Sequence, residues 1–442
     1  MGAASWRRPV LAAAGLALCL RVGFFAAASA LHPGGFMAPD SFEYESLART
    51  LLHEGRFAAG PAAAAQTRRT PGFPVLIASV YALVWEDPRA IVGADILLSV
   101  LTVALGAWLA HRIGGERAAW IAGLLLALDP PSITASYRFL TDTPFTAVFL
   151  AAVSVALGLV LDERPRARRS ALFGTLLAAA ALTRPIGLFL AIPAAFWLVL
   201  CGRRRPWGPR ATVSALAAFA LPWILMVGGW QVRNRVAAST FLASDGPAKF
   251  VYFSRGSDIV ARRDGTTLEA ARAQLTDAIE AEAKRTGRPP ERLYTRAALA
   301  LVARHPLLFV ETQVRWLPEL LLGTGAAGMS LALDLDRPGH PARRAARGLV
   351  SVAAALHLLL LYAGAAWGVW RMGGESAAAR LSAALLVGLV LYFVILSTGP
   401  QAYSRFRVPF TPLLAVCAAR GLEGIRRARA HPGVGTAPAA AA

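Results

Sequence analysis

The sequence predicts an all-α polytopic membrane protein with about 9–12 transmembrane helices. Two observations carry this. Of its 442 residues, 56% are hydrophobic and only 16% charged, where a soluble domain is about one quarter charged. Mean hydropathy is +0.50, and apolar runs near the length of a bilayer crossing recur along the chain. The net charge of +20 comes from 46 basic residues, all arginine except Lys249 and Lys284. They punctuate the apolar runs and form no basic domain with interleaved aromatics, which argues against nucleic-acid binding. The three cysteines, Cys19, Cys201 and Cys417, lie in or beside apolar segments and suggest neither a disulfide framework nor a metal site.

Crossings are expected at residues 10–31, 89–110, 118–135, 141–161, 170–183, 186–201, 211–230, 349–370, 377–397 and 408–424. Arg7 and Arg8 precede the first. Alternate loops, at 111–117, 164–169, 203–210, 371 and 420–429, are arginine-rich, so they and the N-terminus belong on the cytoplasmic face. A cleaved leader is the alternative for the first run, but Arg21 interrupts it and its length suits a retained span. Phe73–Trp85 is too short to cross and would re-enter or lie in the interface. Residues 297–323 carry Arg304, His305, Arg315 and Glu319 and suit an interfacial helix. A structural pair inside the membrane would join Arg21 to Asp95.

The chain divides into an N-terminal transmembrane catalytic module (1–230, with outer loop 32–72), an extracytoplasmic region with an interfacial helix (231–348), C-terminal transmembrane helices (349–430) and a tail expected to be disordered (431–442). In the second region Thr266-x-x-Glu269 resembles a capping box, with Leu268, Leu275 and Ile279 on one helical face. In the first outer loop Tyr44, Leu47, Ala48, Leu51 and Leu52 mark an amphipathic helix on the outer membrane surface, stopped by Gly55.

Candidate chemistry gathers at the outer ends of these segments. Asp40 starts the amphipathic helix, either capping it with Glu43 or serving as a base. Asp142, before Pro144, either begins a helix or shares a cleft with Asp40. Arg68 and Arg69 lie outside, against the positive-inside tendency, where their planar donor forks suit lipid headgroups or a phosphate on a lipid-linked substrate. Arg405 and Arg407 form a similar pair at the outer end of the last span.

Taken in order, these segments resemble the GT-C glycosyltransferases, in the branch of the protein O-mannosyltransferases and lipid A aminoarabinose transferases. The series is Asp40 leading into Tyr44-x-x-Leu47-Ala48 and Gly55, Arg69-Thr70-Pro71-Gly72-Phe73-Pro74, Leu140-Thr141-Asp142, Leu182-Thr183-Arg184-Pro185, Trp230-x-x-Arg233-Asn234 and Arg405-Phe406-Arg407-x-Pro409. The resemblance implies a polyprenyl-phosphate-linked sugar as donor and a lipid, glycan or protein acceptor, with transfer on the extracytoplasmic face. It implies Asp40 and Asp142 as the catalytic carboxylates and Arg68, Arg69, Arg405 and Arg407 as holders of the donor phosphate. Glu43, Tyr44, Tyr137, Arg138, Arg184 and Asn234 would contact substrate. Many relatives carry an acidic pair where this chain has Asp40-Ser41, so a divalent cation is an open question. The large C-terminal soluble domain of some relatives is not expected. The Ala/Arg-rich composition points to a bacterial plasma membrane. A transporter or flippase of lipid-linked sugars is the competing expectation, and would favour midplane charges and repeated halves; a non-catalytic scaffold is a third.

Overall fold

In the computed structural model, residues 6–60, 62–161 and 166–430 are described; the expected tail and residues 162–165 of one basic loop lie outside them. Among the described residues the chain is helical, with a single isolated β-bridge, Ala58 to Ala65. It opens with α1 (Arg7–Leu31), α2 (Pro39–Glu54), α3 (Gly72–Leu83) and α4 (Pro88–Gly114). There follow α5 (Glu116–Ala127), α6 (Pro130–Tyr137), α7 (Asp142–Leu161), α8 (Ala167–Thr183), α9 (Ala191–Arg204), α10 (Pro209–Trp223) and α11 (Gly229–Ala238). A peripheral lobe holds α12 (Gly246–Phe250), α13 (Gly256–Asp264), α14 (Leu268–Thr286) and α15 (Tyr294–Arg304). The last elements are α16 (Pro306–Leu322), α17 (Ala326–Ala332), α18 (Pro341–Gly373), α19 (Ala377–Ser397) and α20 (Thr411–Ala430).

A helix lies at each of the ten expected crossings. Seven described helices are long and apolar enough to span, or eight if the bent pair α5 and α6 is one span. The protein is a multi-pass membrane protein. Helix α8, of 17 residues, is one short of that length. The π-helical turn Ile224–Gly228 joins α10 and α11 into one 30-residue rod.

The bundle core is built from α4, α5, α7, α8, α18, α19 and α20. Phe145, Phe149, Phe393 and Phe410 stack at its centre, with Phe149 and Phe393 edge to face at 5.1 Å. Helix α3 has 12 residues, about 18 Å of helix, too short for a bilayer of about 30 Å. It does not lie free in the interface. Phe73, Ile77 and Tyr81 are buried, and Phe73 meets Tyr44 of α2 edge to face at 5.1 Å. Tyr44, Leu47 and Ala48 on the apolar face of α2 are therefore covered by protein.

Three expectations are corrected. Arg21 does not pair with Asp95: its guanidinium donates to Ser99 Oγ at 2.6 Å and to the carbonyls of Leu126 and Ala127, which close the C-terminus of α5. The cap of α14 is Thr267, accepting from Ala270 N at 3.1 Å, one residue later than the motif suggested. Its buried stripe is Ala271, Leu275 and Ile279, while Leu268 is exposed. Residues 297–323 form two helices broken at His305-Pro306, with Leu307, Val310 and Val314 exposed along α16.

Candidate functional site

Asp40 is positioned by its neighbour. Helix α2 begins at Pro39, whose fixed φ suits a first turn. The N-terminal bond is made by Ser41, whose Oγ accepts from Ala38 N at 2.9 Å and donates to the Phe139 carbonyl at 2.7 Å. Ser41 is fully buried and ties α2 to the segment that leads into α7. With Ser41 as the cap, the Asp40 carboxylate is free of that duty and half exposed. Arg69 donates to its Oδ1 at 2.6 Å.

Arg69 also donates to Glu43 Oε2 at 2.9 Å and to the Tyr44 hydroxyl at 3.1 Å, and its guanidinium lies 4.6 Å from the Tyr44 ring centre. Burial works against its charge, but the Tyr44, Glu43 and Asp40 groups more than offset this and hold its pKa above the ordinary value. Burial in turn pushes the Tyr44 hydroxyl up, with Arg69 acting in the opposite sense. Arg68 pairs with the same Glu43, which also accepts from Gln66 at 3.0 Å.

A second charged group faces the first from three helix ends. Asp142, at the start of α7, is fully buried. It is paired with Arg184, after α8, and with Arg405, in the short 3-10 turn Ser404–Arg407 before α20. Arg405 reaches its Oδ2 with Nε at 2.7 Å and Nη2 at 2.5 Å, and donates to the Tyr403 hydroxyl at 3.2 Å. Burial again opposes the Arg405 charge, and Asp142 more than offsets it.

One cavity of about 1050 Å³ collects these groups: Asp40, Tyr44, Arg68, Arg69, Arg184 and Arg405 all line it. It continues between Ile186, Phe189, Phe250 and Leu396. A second cavity of about 560 Å³ shares Asp40, Leu140, Glu319, Tyr403 and Arg405 with the first and is otherwise lined by different residues, Tyr137 and Arg138 among them.

Several expected site residues lie elsewhere. Asp142 lines neither cavity; its carboxylate is paired with Arg184 and Arg405. Arg407 is buried and donates to the carbonyls of Leu320, Leu321 and Gly323, the last at 2.8 Å, so its fork is not open to a phosphate. Asn234 is buried and donates to the Leu242 carbonyl at 2.9 Å, a structural bond away from both cavities. Glu43 lines neither cavity and fixes Arg68 and Arg69 from behind. Glu319 was seen in the sequence only as a charge interrupting an apolar run. It borders both cavities and makes no ion pair or hydrogen bond with the described residues. Nothing in its spacing marks it, because α16 and Asp40 come to the same cavities only through the fold.

No group of three or more His, Cys, Asp or Glu side chains among the described residues is placed to hold a metal ion. The two carboxylates on the shared wall, one of them already engaged by Arg69, do not form the multi-oxygen cage a hard divalent cation takes.

A sequence profile of the dolichyl-phosphate-mannose-protein mannosyltransferase family matches residues 68–230, and no curated protein matches the chain. Among solved structures, the oligosaccharyltransferase AglB from Archaeoglobus fulgidus, in complex with an inhibitory peptide and a dolichol-phosphate, superposes with a TM-score of 0.54 at 14% identity. The match covers 98% of this chain and 52% of that one. The apo form of the Archaeoglobus fulgidus enzyme gives 0.55 at 15% identity, over 96% and 51%. ArnT from Cupriavidus metallidurans bound to undecaprenyl phosphate gives 0.42 at 15%, over 95% and 79%. The chain spans about half the length of the oligosaccharyltransferase it matches. The likeness to the Archaeoglobus fulgidus structures over nearly the whole chain shows a shared fold, and the mannosyltransferase family profile matches residues 68–230 within it.

Proposed function

We propose that this protein transfers a sugar from a polyprenyl-phosphate donor to an acceptor on the extracytoplasmic face of a bacterial plasma membrane, with its N-terminus in the cytoplasm. The observation that carries the reading is the joint lining of one cavity by Asp40 and by Arg68, Arg69, Arg184 and Arg405. The cavity has a cationic mouth for a phosphate and an apolar continuation for a prenyl chain, whose burial supplies affinity.

The chemistry is a direct displacement. The acceptor oxygen forms a bond to the anomeric carbon while the bond from that carbon to the phosphate oxygen breaks. The acceptor proton passes to Asp40, and the electron pair leaves with the lipid phosphate. Arg69 holds Asp40 Oδ1, and no described residue bonds to Oδ2, which is left for the acceptor proton. Arg405 and Arg184, fixed by Asp142, stabilise the charge that develops on the leaving phosphate. Fixed arginines need no rearrangement during the reaction, which is what makes them effective. The configuration at the anomeric carbon inverts. The match to transferases does not favour the flippase alternative.

The test is to incubate the purified protein with a panel of radiolabelled polyprenyl-phosphate sugars and candidate acceptors. Label should leave the lipid with intact Asp40 and stay on it with Asp40→Asn. Retained anomeric configuration in the product would reject the single displacement.

A further inference from the structure

The second cavity shares lining residues with the first, of which Asp40, Glu319 and Arg405 are the charged members. Its floor is a tight turn, Gly323-Thr324-Gly325, between α16 and α17. Gly325 has φ +81°, and a Cβ there would lie 2.7 Å from the Pro131 ring, so the turn closes against the start of α6 only with glycine. Arg407 fixes this turn from beneath through three carbonyls, of Leu320, Leu321 and Gly323. The floor is therefore pre-formed.

The lining differs in kind from that of the donor cavity. Beside small apolar side chains and Leu140 it carries the hydroxyls of Thr134, Thr324 and Ser404, with Tyr137, Arg138 and two carboxylates. A volume of about 560 Å³ falls in the range of small-molecule pockets. Glu319 brings an unengaged carboxylate to the same two cavity linings as Asp40, and carboxylates accept well from hydroxyls. An extended polypeptide is commonly bound by adding to a sheet edge, and no strand borders this cavity among the described residues.

We propose that this cavity is the acceptor site and that it takes a small polyhydroxylic acceptor, a free saccharide or the sugar head group of a glycolipid, and not a polypeptide. The inference rests on the transferase reading above for the direction of transfer, and on the cavity itself for the class of acceptor. The acceptor hydroxyl enters from the Glu319 side and loses its proton to Asp40. The phosphate departs on the side of Arg69 and Arg184.

The experiment uses the full chain in lipid nanodiscs and the variant Gly328→Trp. Gly328 borders the cavity, and a Cβ there meets only Thr134, at 3.7 Å, an ordinary contact; the indole would extend into the empty volume. Binding of mono- and disaccharides, free and as lipid head groups, is measured by saturation-transfer NMR, and polyprenyl-phosphate affinity is measured separately. The expected result is saturable saccharide binding that weakens at least tenfold in Gly328→Trp, with polyprenyl-phosphate affinity unchanged. Competition by free sugar alone or by the glycolipid alone tells the two sources apart. Saccharide binding that the indole does not disturb, or transfer to an unstructured Ser/Thr-rich peptide unaffected by it, overturns the proposal. Saccharide binding without transfer of any label sustains the pocket and rejects the transferase reading. Glu319→Gln provides the second variant: because Glu319 borders both cavities, it should weaken saccharide binding more than it changes polyprenyl-phosphate affinity, and the reverse order would overturn the proposal.

Discussion

Asp142 and Arg405, 263 residues apart in sequence, meet in a buried two-point ion pair at 2.5 and 2.7 Å. The pair joins the start of α7 to the turn before α20, and Arg184 closes it from the end of α8. Removing the carboxylate leaves two partly exposed arginines without their buried counter-charge, a change that costs at most about 3–5 kcal/mol, the figure for losing one partner of a fully buried pair. Asp142→Ala should therefore lower the unfolding temperature in detergent and abolish turnover together. Loss of turnover with an unchanged melting temperature would instead give Asp142 a direct part in the chemistry.

Asp40 presents the opposite case. Its side chain is 55% exposed, and helix α2 is capped by Ser41, so the fold does not depend on it. Asp40→Asn should cut turnover by about 10²- to 10⁴-fold, the usual scale for a general base, while thermal unfolding stays as in the parent. An inactive variant that also melts early would return Asp40 to a structural role.

How much of this was legible in the sequence depended on whether the signal was local. The crossings were, because length and hydropathy are properties of one segment. Asp40, Arg69, Arg184 and Arg405 were recognisable as an ordered series, and they share one cavity. The division of labour among them was not legible. Whether Asp142 faces a substrate or two arginines depends on where α8 and the 404–407 turn arrive. Arg407 and Asn234 look like site residues by spacing, yet they bond to backbone carbonyls of distant segments. Arg21 and Asp95 were candidates for each other as membrane charges, but Arg21 found the frayed carbonyls at the end of α5, which any donor of that reach can satisfy.

The Trp230-x-x-Arg233-Asn234 motif acts as a clamp. Arg233 donates to the carbonyls of Gln66 at 2.9 Å and Phe57 at 3.1 Å, and lies between the Phe57 and Trp230 rings at 5.3 and 4.8 Å. Those carbonyls belong to the loop that delivers Arg68 and Arg69. Arg233→Ala should destabilise by about 1–3 kcal/mol and raise the donor KM more than it lowers kcat. Arg233→Lys should recover little, because a single ammonium cannot reproduce the planar fork. An unchanged donor KM in both variants would show that the loop holds its arginines without the clamp.

Asp245 fastens the same loop from the lobe side, accepting from Thr67 Oγ1 at 2.9 Å. Burial raises its pKa, with the Thr67 bond acting in the opposite sense. A carboxyl whose folded pKa lies above its unfolded value of about 3.9 binds its proton more tightly when folded. Its contribution to stability is therefore greatest below that unfolded value and falls as pH rises through the folded one. Asp245→Asn keeps an acceptor for Thr67 and removes the titration. The variant should melt at or above the parent temperature at pH 7, with the difference closing toward pH 4. A variant less stable at pH 7 than at pH 4, each relative to the parent, would contradict this sign.

The turn bearing Arg405 is held in place by α20, and α20 depends on its contact with α18. Gly364 and Gly368, spaced by four, bring the two helix backbones together, as small residues do at membrane helix crossings. A Cβ on Gly368 would lie 1.9 Å from the Cys417 carbonyl oxygen. That neighbour is backbone and cannot swing aside, so the helices must separate. Gly368→Ala should destabilise by about 1–3 kcal/mol, the range for overpacking, and lower turnover by shifting Arg405 relative to Asp142. Gly15→Ala is the matched control, since a Cβ there meets nothing within 4 Å. It should leave melting temperature and activity as in the parent, because α1 turns that face away from the bundle. Equal effects at the two positions would mean that the α18 to α20 contact does not set the geometry of the arginine turn.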